Sequence, residues 1–121
     1  MGKYLKLVDD LSDSRGTIMI LNDGTQDYLI IYTKAGYLRG GEIHEGWQQN
    51  VILNGIVEWI TPDQTTTHTV FDSIVTTKHI PHMMESVTDS VMVEWREKPI
   101  ENPVNYHEPY RALIKKRMQT S

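Results

Sequence analysis

Short runs rich in β-branched and aromatic residues recur along the chain, separated by turn residues. They cover residues 17–21, 28–32, 49–53, 56–60, 68–71, 74–77 and 91–95. Between them stand Asn22-Asp23-Gly24, Lys34-Ala35-Gly36, Asn54-Gly55, Pro62-Asp63 and Thr88-Asp89. Many short strands at this spacing predict an antiparallel sandwich or barrel. Asn54-Gly55 predicts a two-residue type I′ hairpin, because both of its positions need positive φ. The one persuasive helical pattern lies at the end. Pro109 suits a first helical position, and Tyr110, Leu113, Ile114 and Arg117 recur at helical spacing. Lys115, Lys116 and Arg117 fall in its last turns, where cations complement the dipole. Pro99, Pro103 and Pro109 predict extended chain before it. Residues 4–11 read as a second, short helix.

With the turn tip at Asn54-Gly55, side chains alternate between two faces. Gln48, Asn50, Ile52, Val57 and Trp59 share one face, and Gln49, Val51, Leu53, Ile56, Glu58 and Ile60 the other. The second face is the more apolar and is expected to pack. Gln48 and Asn50 would then face water, which the hairpin taken alone favours. Inside a barrel the same mixture of amides, Trp and Ile would instead line a pocket for a small polar ligand.

Composition narrows the function classes. The chain has 121 residues, one domain's worth, with 39 % hydrophobic and 23 % charged residues. Twelve Lys and Arg against sixteen Asp and Glu leave a net charge of -4. Nucleic acid and anionic membrane are therefore excluded as main partners, since both need a basic face. No apolar run approaches the ~20 residues of a membrane span. Residues 1–10 lack a signal-peptide core, and Lys6 breaks the myristoylation pattern that Gly2 would open. With no cysteine, disulfides, thiolate zinc sites and cysteine nucleophiles are excluded, and the expected compartment is the cytoplasm. A modest core with much Trp and Tyr surface predicts a homodimer.

The candidate chemistry lies between the runs. Glu42 and His44 are two apart, so on a strand they share a face. Gln48 follows a turn at Gly46, and Pro81-His82 comes where a strand is expected to end. Glu42, His44, Gln48 and His82 offer an O, N, O, N set suited to Mn, Fe, Ni or Zn, with positions left open for substrate. Gln is the weakest of the four donors. Arg39 could grip a phosphate or carboxylate bidentately, or serve a structural ion pair. Asn50 and Trp59 could touch a ligand, although Trp59 also suits plain core filling. Asp13 and Arg15 read as a turn closure, and His79 as a surface residue. Tyr32 or Tyr37 is available as a general acid. His68 and His107 carry no assignment, and Met83, Met84 and Met92 read as packing.

The residues Gly36-Tyr37-Leu38-Arg39-Gly40-Gly41-Glu42-Ile43-His44, then Gln48 and Gly55, resemble the first motif of the cupin family. That motif reads His-x-His, three or four residues, Glu or Gln, six residues, Gly; here Glu42 replaces the first His. Residues 76–85, around Ile80-Pro81-His82, resemble the second motif, in which a Pro precedes the pocket His, but its opening Gly is missing. The resemblance spans roughly residues 12–95. It implies an all-β fold, a single cupin domain over residues 1–121: a double-stranded β-helix (jelly-roll) barrel followed by a C-terminal extension and helix at 99–121. Within the family the chain is most similar to the small sugar-nucleotide ketoisomerases and epimerases. Asp13-Ser14-Arg15-Gly16 is similar to the Asp-x-Arg-Gly near their start, and Arg39-Gly40 precedes their histidine pair as well. Those enzymes work without metal, with a pocket His as base and often a Tyr as acid.

Three readings stay open. In the first, His44 and His82, with Glu42 and Gln48, hold a divalent metal in a pocket for a small carbohydrate- or carboxylate-like molecule. In the second, a metal-free isomerase or epimerase uses Glu42 and His44 as acid and base, with Arg39 on a phosphate; burial would then raise Glu42 toward neutrality. In the third, the barrel binds its small ligand without turnover.

Overall fold

The structure, a computed structural model, describes residues 5–98 and 105–120. The expectations for residue 4, the first residues of the chain and the prolines at 99 and 103 fall outside that range. Eleven strands precede one helix among the described residues. They are β1 (Lys6–Asp13), β2 (Gly16–Asn22), β3 (Asp27–Thr33), β4 (Leu38–Ile43), β5 (Gln48–Asn54), β6 (Val57–Ile60), β7 (Thr65–His68), β8 (Ser73–Thr76), β9 (His82–Ser86), β10 (Ser90–Arg96) and β11 (Asn105–Tyr106). The helix α1 (Glu108–Thr120) begins one residue before the Pro109 that the sequence marks, ordinary scatter for a helix end.

Two antiparallel sheets face each other. One runs β1-β2-β3-β10-β5-β8 and the other β11-β4-β9-β6-β7. Leu29, Ile31, Ile52, Val57, Trp59, Ile74, Met84 and Met92 meet between them as the main core. A second, smaller cluster lies outside, where Ile114 of α1 packs on Leu38 and Met83. Among the described residues no helix is long and apolar enough to cross a membrane.

Four expectations are corrected. Asn54-Gly55 does not close a hairpin: β5 pairs with β10 and β8, whereas β6 pairs with β7 and β9. Only Gly55 has positive φ, at 87°, and the chain uses it to step from one sheet to the other. There a Cβ would collide with the Asp89 carbonyl oxygen, so the crossing needs glycine for space as well as for φ.

The face assignment is also reversed. Gln48, Asn50, Ile52, Val57 and Trp59 all point inward, while Leu53 and Ile56 are 42 % and 37 % exposed. The third correction is β1, which had read as a helix. Leu7, Val8 and Leu11 mimic a helical stripe, but β1 is an edge strand with solvent on both faces, so nothing forces it to alternate. Last, the run at 68–71 sits three residues late: β7 ends at His68, and Phe71 occupies a turn with φ 71°.

Candidate functional site

Register builds the interior in layers. On β10 the residues Ser90, Met92, Glu94 and Arg96 alternate inward, opposite Gln48, Asn50 and Ile52 of β5. Gln48, Asn50, Glu94 and Arg96 therefore make a polar layer at one end. Leu29, Ile31, Trp59, Met84 and Met92 fill the middle. Thr33, Arg39, Ser86 and Ser90 form a second polar layer at the far end, where Ser86 and Ser90 share a 2.6 Å hydrogen bond. A cavity of about 140 Å³ runs between the polar ends.

Strand β4 supplies groups to both ends, which simple alternation forbids. Arg39 and Glu42 are an odd number of residues apart, yet both line the cavity. The reason is a β-bulge. Gly40 opposes Met83 and Glu42 opposes His82, so Gly41 is the extra residue that resets the alternation. Gly40 and Gly41 have φ of 101° and 70°, a backbone that side chains with a Cβ rarely adopt. Leu38, before the bulge, faces outward to Ile114, and Glu42, after it, faces inward.

One ligand-capable atom each from Glu42, His44 and His82 lies within 4.8 Å of the others. Nε2 of His44 stands 2.9 Å from Oε2 of Glu42. That nitrogen is nonetheless without a hydrogen-bond partner of good geometry. Two donors this close but out of line are arranged as ligands aimed at a common third atom would be. His82 opens β9 rather than ending a strand, as the sequence had implied. Its Nδ1 meets the Ile80 carbonyl at 3.1 Å, which leaves Nε2 as the atom with a free lone pair. Trp59 stacks on the His82 ring at 5.6 Å and 9° and fixes its plane.

The charges around the cluster set its protonation. Burial alone would raise the Glu42 carboxyl, but His44, Arg96 and His82 together hold it below the ordinary 4.5. Arg96 Nη2 reaches Glu42 at 3.3 Å and Glu94 at 2.7 Å. Glu42 is thus an ionised carboxylate, not the neutral-range base the metal-free reading needs. Burial pushes His82 below its ordinary 6.5, partly offset by the Ile80 carbonyl, so it is a neutral imidazole near pH 7. A neutral imidazole at His82 and an ionised carboxylate at Glu42 are forms that bind metal.

No protein-family model matches the chain, and no curated protein matches it. Solved structures do. A cupin superfamily protein from Desulfitobacterium hafniense DCB-2 superposes with a TM-score of 0.62 at 16 % identity, over 75 % of this chain and 79 % of that one. Ectoine synthase from P. lautus gives 0.68 at 18 % identity, over 76 % of this chain and 70 % of that one. An oxalate decarboxylase gives 0.72 at 11 % identity; it matches 88 % of this chain, which spans only 33 % of the decarboxylase. The fold is the cupin jelly roll. At these identities the likeness carries the fold alone.

The cupin barrel brings some of the expected site residues together and sets others aside. Glu42, His44 and His82 converge. Gln48 lines the same cavity, 2 % exposed; its Nε2 donates to Asn50 and Glu94 while Oε1 stays without a partner. Trp59 lines it too, with an unpartnered Nε1. Asn50 does not line it. Fully buried, it donates to Glu94 and Met92 and accepts from Gln48, so it positions the polar layer. Arg39 lines the far end, its Nε on Thr33 and its Nη2 on the Tyr32 carbonyl. Tyr32 turns outward to Asp89, and neither it nor Tyr37 lines the cavity. Met84 and Met92 line the cavity, whereas Met83 packs outside under α1. His79 pairs with Glu45 at the surface, and His68 with Asp72.

Sequence reasoning missed Glu94 and Arg96. The signal was present in the run at 91–95: Ser90, Met92, Glu94 and Arg96 share a parity, as do Gln48, Asn50 and Ile52. In both strands the more polar parity is the inner one.

Proposed function

We propose that this chain is a small-molecule cupin in which Glu42, His44 and His82 hold a divalent metal ion, with Gln48 as a fourth donor. What carries the reading is the convergence of those three donors from β4, the chain just beyond it and β9, two of which, Glu42 and His82, line the barrel cavity. The set of two imidazoles, a carboxylate and an amide oxygen suits Mn, Fe, Ni or Zn. The orphaned Oε1 of Gln48 and the out-of-line His44 contact are the groups such an ion would satisfy.

Once bound, the ion would act as a Lewis acid on an oxygen of the ligand. The chain's own residues do the rest. Arg96 keeps Glu42 ionised and fixed, the Ile80 carbonyl sets the His82 tautomer, and Trp59 holds the ring. The indole Nε1 of Trp59 is a free donor for the ligand. Leu29, Ile31, Met84 and Met92 wall the cavity beside the reacting end with apolar surface. Metal-free proton transfer finds less support, because His44, Arg96 and His82 together hold Glu42 ionised.

Elemental analysis of protein purified without a nickel column tests the reading. About one equivalent of a first-row metal is expected, lost in the His44→Ala, His82→Ala double variant. A folded double variant that keeps its metal would sink the ligand set.

A further inference from the structure

The far end of the cavity carries two guanidiniums, Arg39 and Arg15, against one carboxylate, Asp13, which Arg15 already engages. Four guanidiniums line the cavity, against the carboxylates of Glu42 and Glu94. Both carboxylates are engaged by Arg96. Arg39 is only 6 % exposed, and its hydrogen bonds go to a hydroxyl and a carbonyl, both neutral. Among the described residues it forms no ion pair. Asp13, whose charge it feels, is bound to Arg15 at 2.7 Å. Arg15 lies at the same end: it precedes Gly16, which pairs with Thr33, and the Thr33 hydroxyl holds Arg39. Burial and the like charge of Arg15 press the Arg39 guanidinium down to about 10, a measure of how poorly the protein alone satisfies it. A buried cation without an anion is costly, and an anionic ligand removes the cost.

We propose that the cavity takes the anion of a small organic acid, its carboxylate between Arg39 and Arg15 and its apolar part against Ile31 and Met84. Guanidinium forks match a carboxylate in geometry as well as charge. The cavity's volume of about 140 Å³ is close to the roughly 150 Å³ that holds benzene, so a ligand of about six non-hydrogen atoms suits it. The inference rests on this cavity being the ligand site of the proposed function, and it concerns the end away from the metal.

Isothermal titration of chelator-treated, metal-free protein tests it, at low ionic strength without phosphate or sulfate buffer. Butyrate is the probe, butyramide its neutral isostere, and inorganic phosphate the competing oxyanion. Butyrate is expected to bind about tenfold or more tighter than butyramide, the usual worth of a charge-assisted pair. It should also outbind phosphate. Arg39→Gln should abolish the preference, and Arg15→Gln should weaken it, read on variants whose circular dichroism matches the parent. The nearer-surface Arg15→Gln carries the test if Arg39→Gln does not fold. Equal binding of acid and amide, tighter phosphate, or no butyrate binding at millimolar concentration overturns the proposal. So does binding that appears only with added metal and survives both substitutions; that result would leave the metal reading intact. Butyrate binding to a protein that never takes up metal would have the opposite meaning.

Discussion

Arg96 decides what Glu42 can be. Its guanidinium bridges Glu42 and Glu94, so two carboxylates share one cation. Removing that cation leaves Glu94, 5 % exposed, with the amides of Gln48 and Asn50 but no counter-charge. Arg96→Met is expected to cost about 3–5 kcal/mol of stability in urea melts, the usual penalty for halving a buried ion pair. A cost below 1 kcal/mol would show that the pair does not hold the layer together. His82 gives the site its pH dependence. Its folded pKa lies below 6.5, so as pH falls the unfolded chain takes up the proton first. The stability it contributes is full above about 6.5 and is lost as pH falls through the depressed folded value. Glu42, depressed below 4.5, extends the loss to lower pH with the same sign. Thermal midpoints of metal-free protein should therefore begin to fall between about pH 7 and 6. His82→Phe should flatten the upper part of that fall. A parent profile flat from pH 7 to 5 contradicts a buried neutral imidazole.

Among the elements, β4 carries the most consequence because it breaks its own alternation. Glu42 and His44 share a face by simple period-2 reasoning, and that much was legible in the sequence. Which face they share was not, because the Gly40-Gly41 bulge sits just before them. The ladder skips Gly41, so Gly40 opposes Met83 and Glu42 opposes His82, and the bulge is what keeps Glu42 facing inward with the extra residue present. Deleting Gly41 leaves that pairing as a regular ladder, so metal content should stay near the parent's while the far-UV spectrum stays β-rich. Metal lost from a deletion variant that stays β-rich would mean that Gly41 positions Glu42 by more than register. The same bulge seats the helix, since the His107 amide donates to the Gly41 carbonyl and Arg111 to the Gly40 carbonyl. A Cβ at Gly41 would stand 2.8 Å from Cδ of Arg111, so Gly41→Ala disturbs the seat of the helix.

For the whole molecule, ligand linkage is the readable consequence. Metal that binds only the folded barrel should raise its stability by about 2.7 kcal/mol at a hundred times Kd. Added Mn, Fe, Ni or Zn should then raise the thermal midpoint of the parent and leave the His44→Ala, His82→Ala variant unmoved. An equal shift in both would place the metal elsewhere. The barrel class, the C-terminal helix, most strand positions and the pairing of Glu42 with His44 were all determined by the sequence itself, because local alternation, turn chemistry and motif spacing act over a few residues. The partners of each strand were a different matter. Asn54-Gly55 has the local chemistry of a hairpin, yet the chain crosses between sheets there, since β5 gains two neighbours in one sheet and β6 two in the other. That choice turned Gln48 and Asn50 inward and Leu53 outward, and it brought Arg96 to Glu42 across 54 residues of chain. Long-range pairing is decided by the summed burial of a closed interior, and no short stretch of sequence contains that sum.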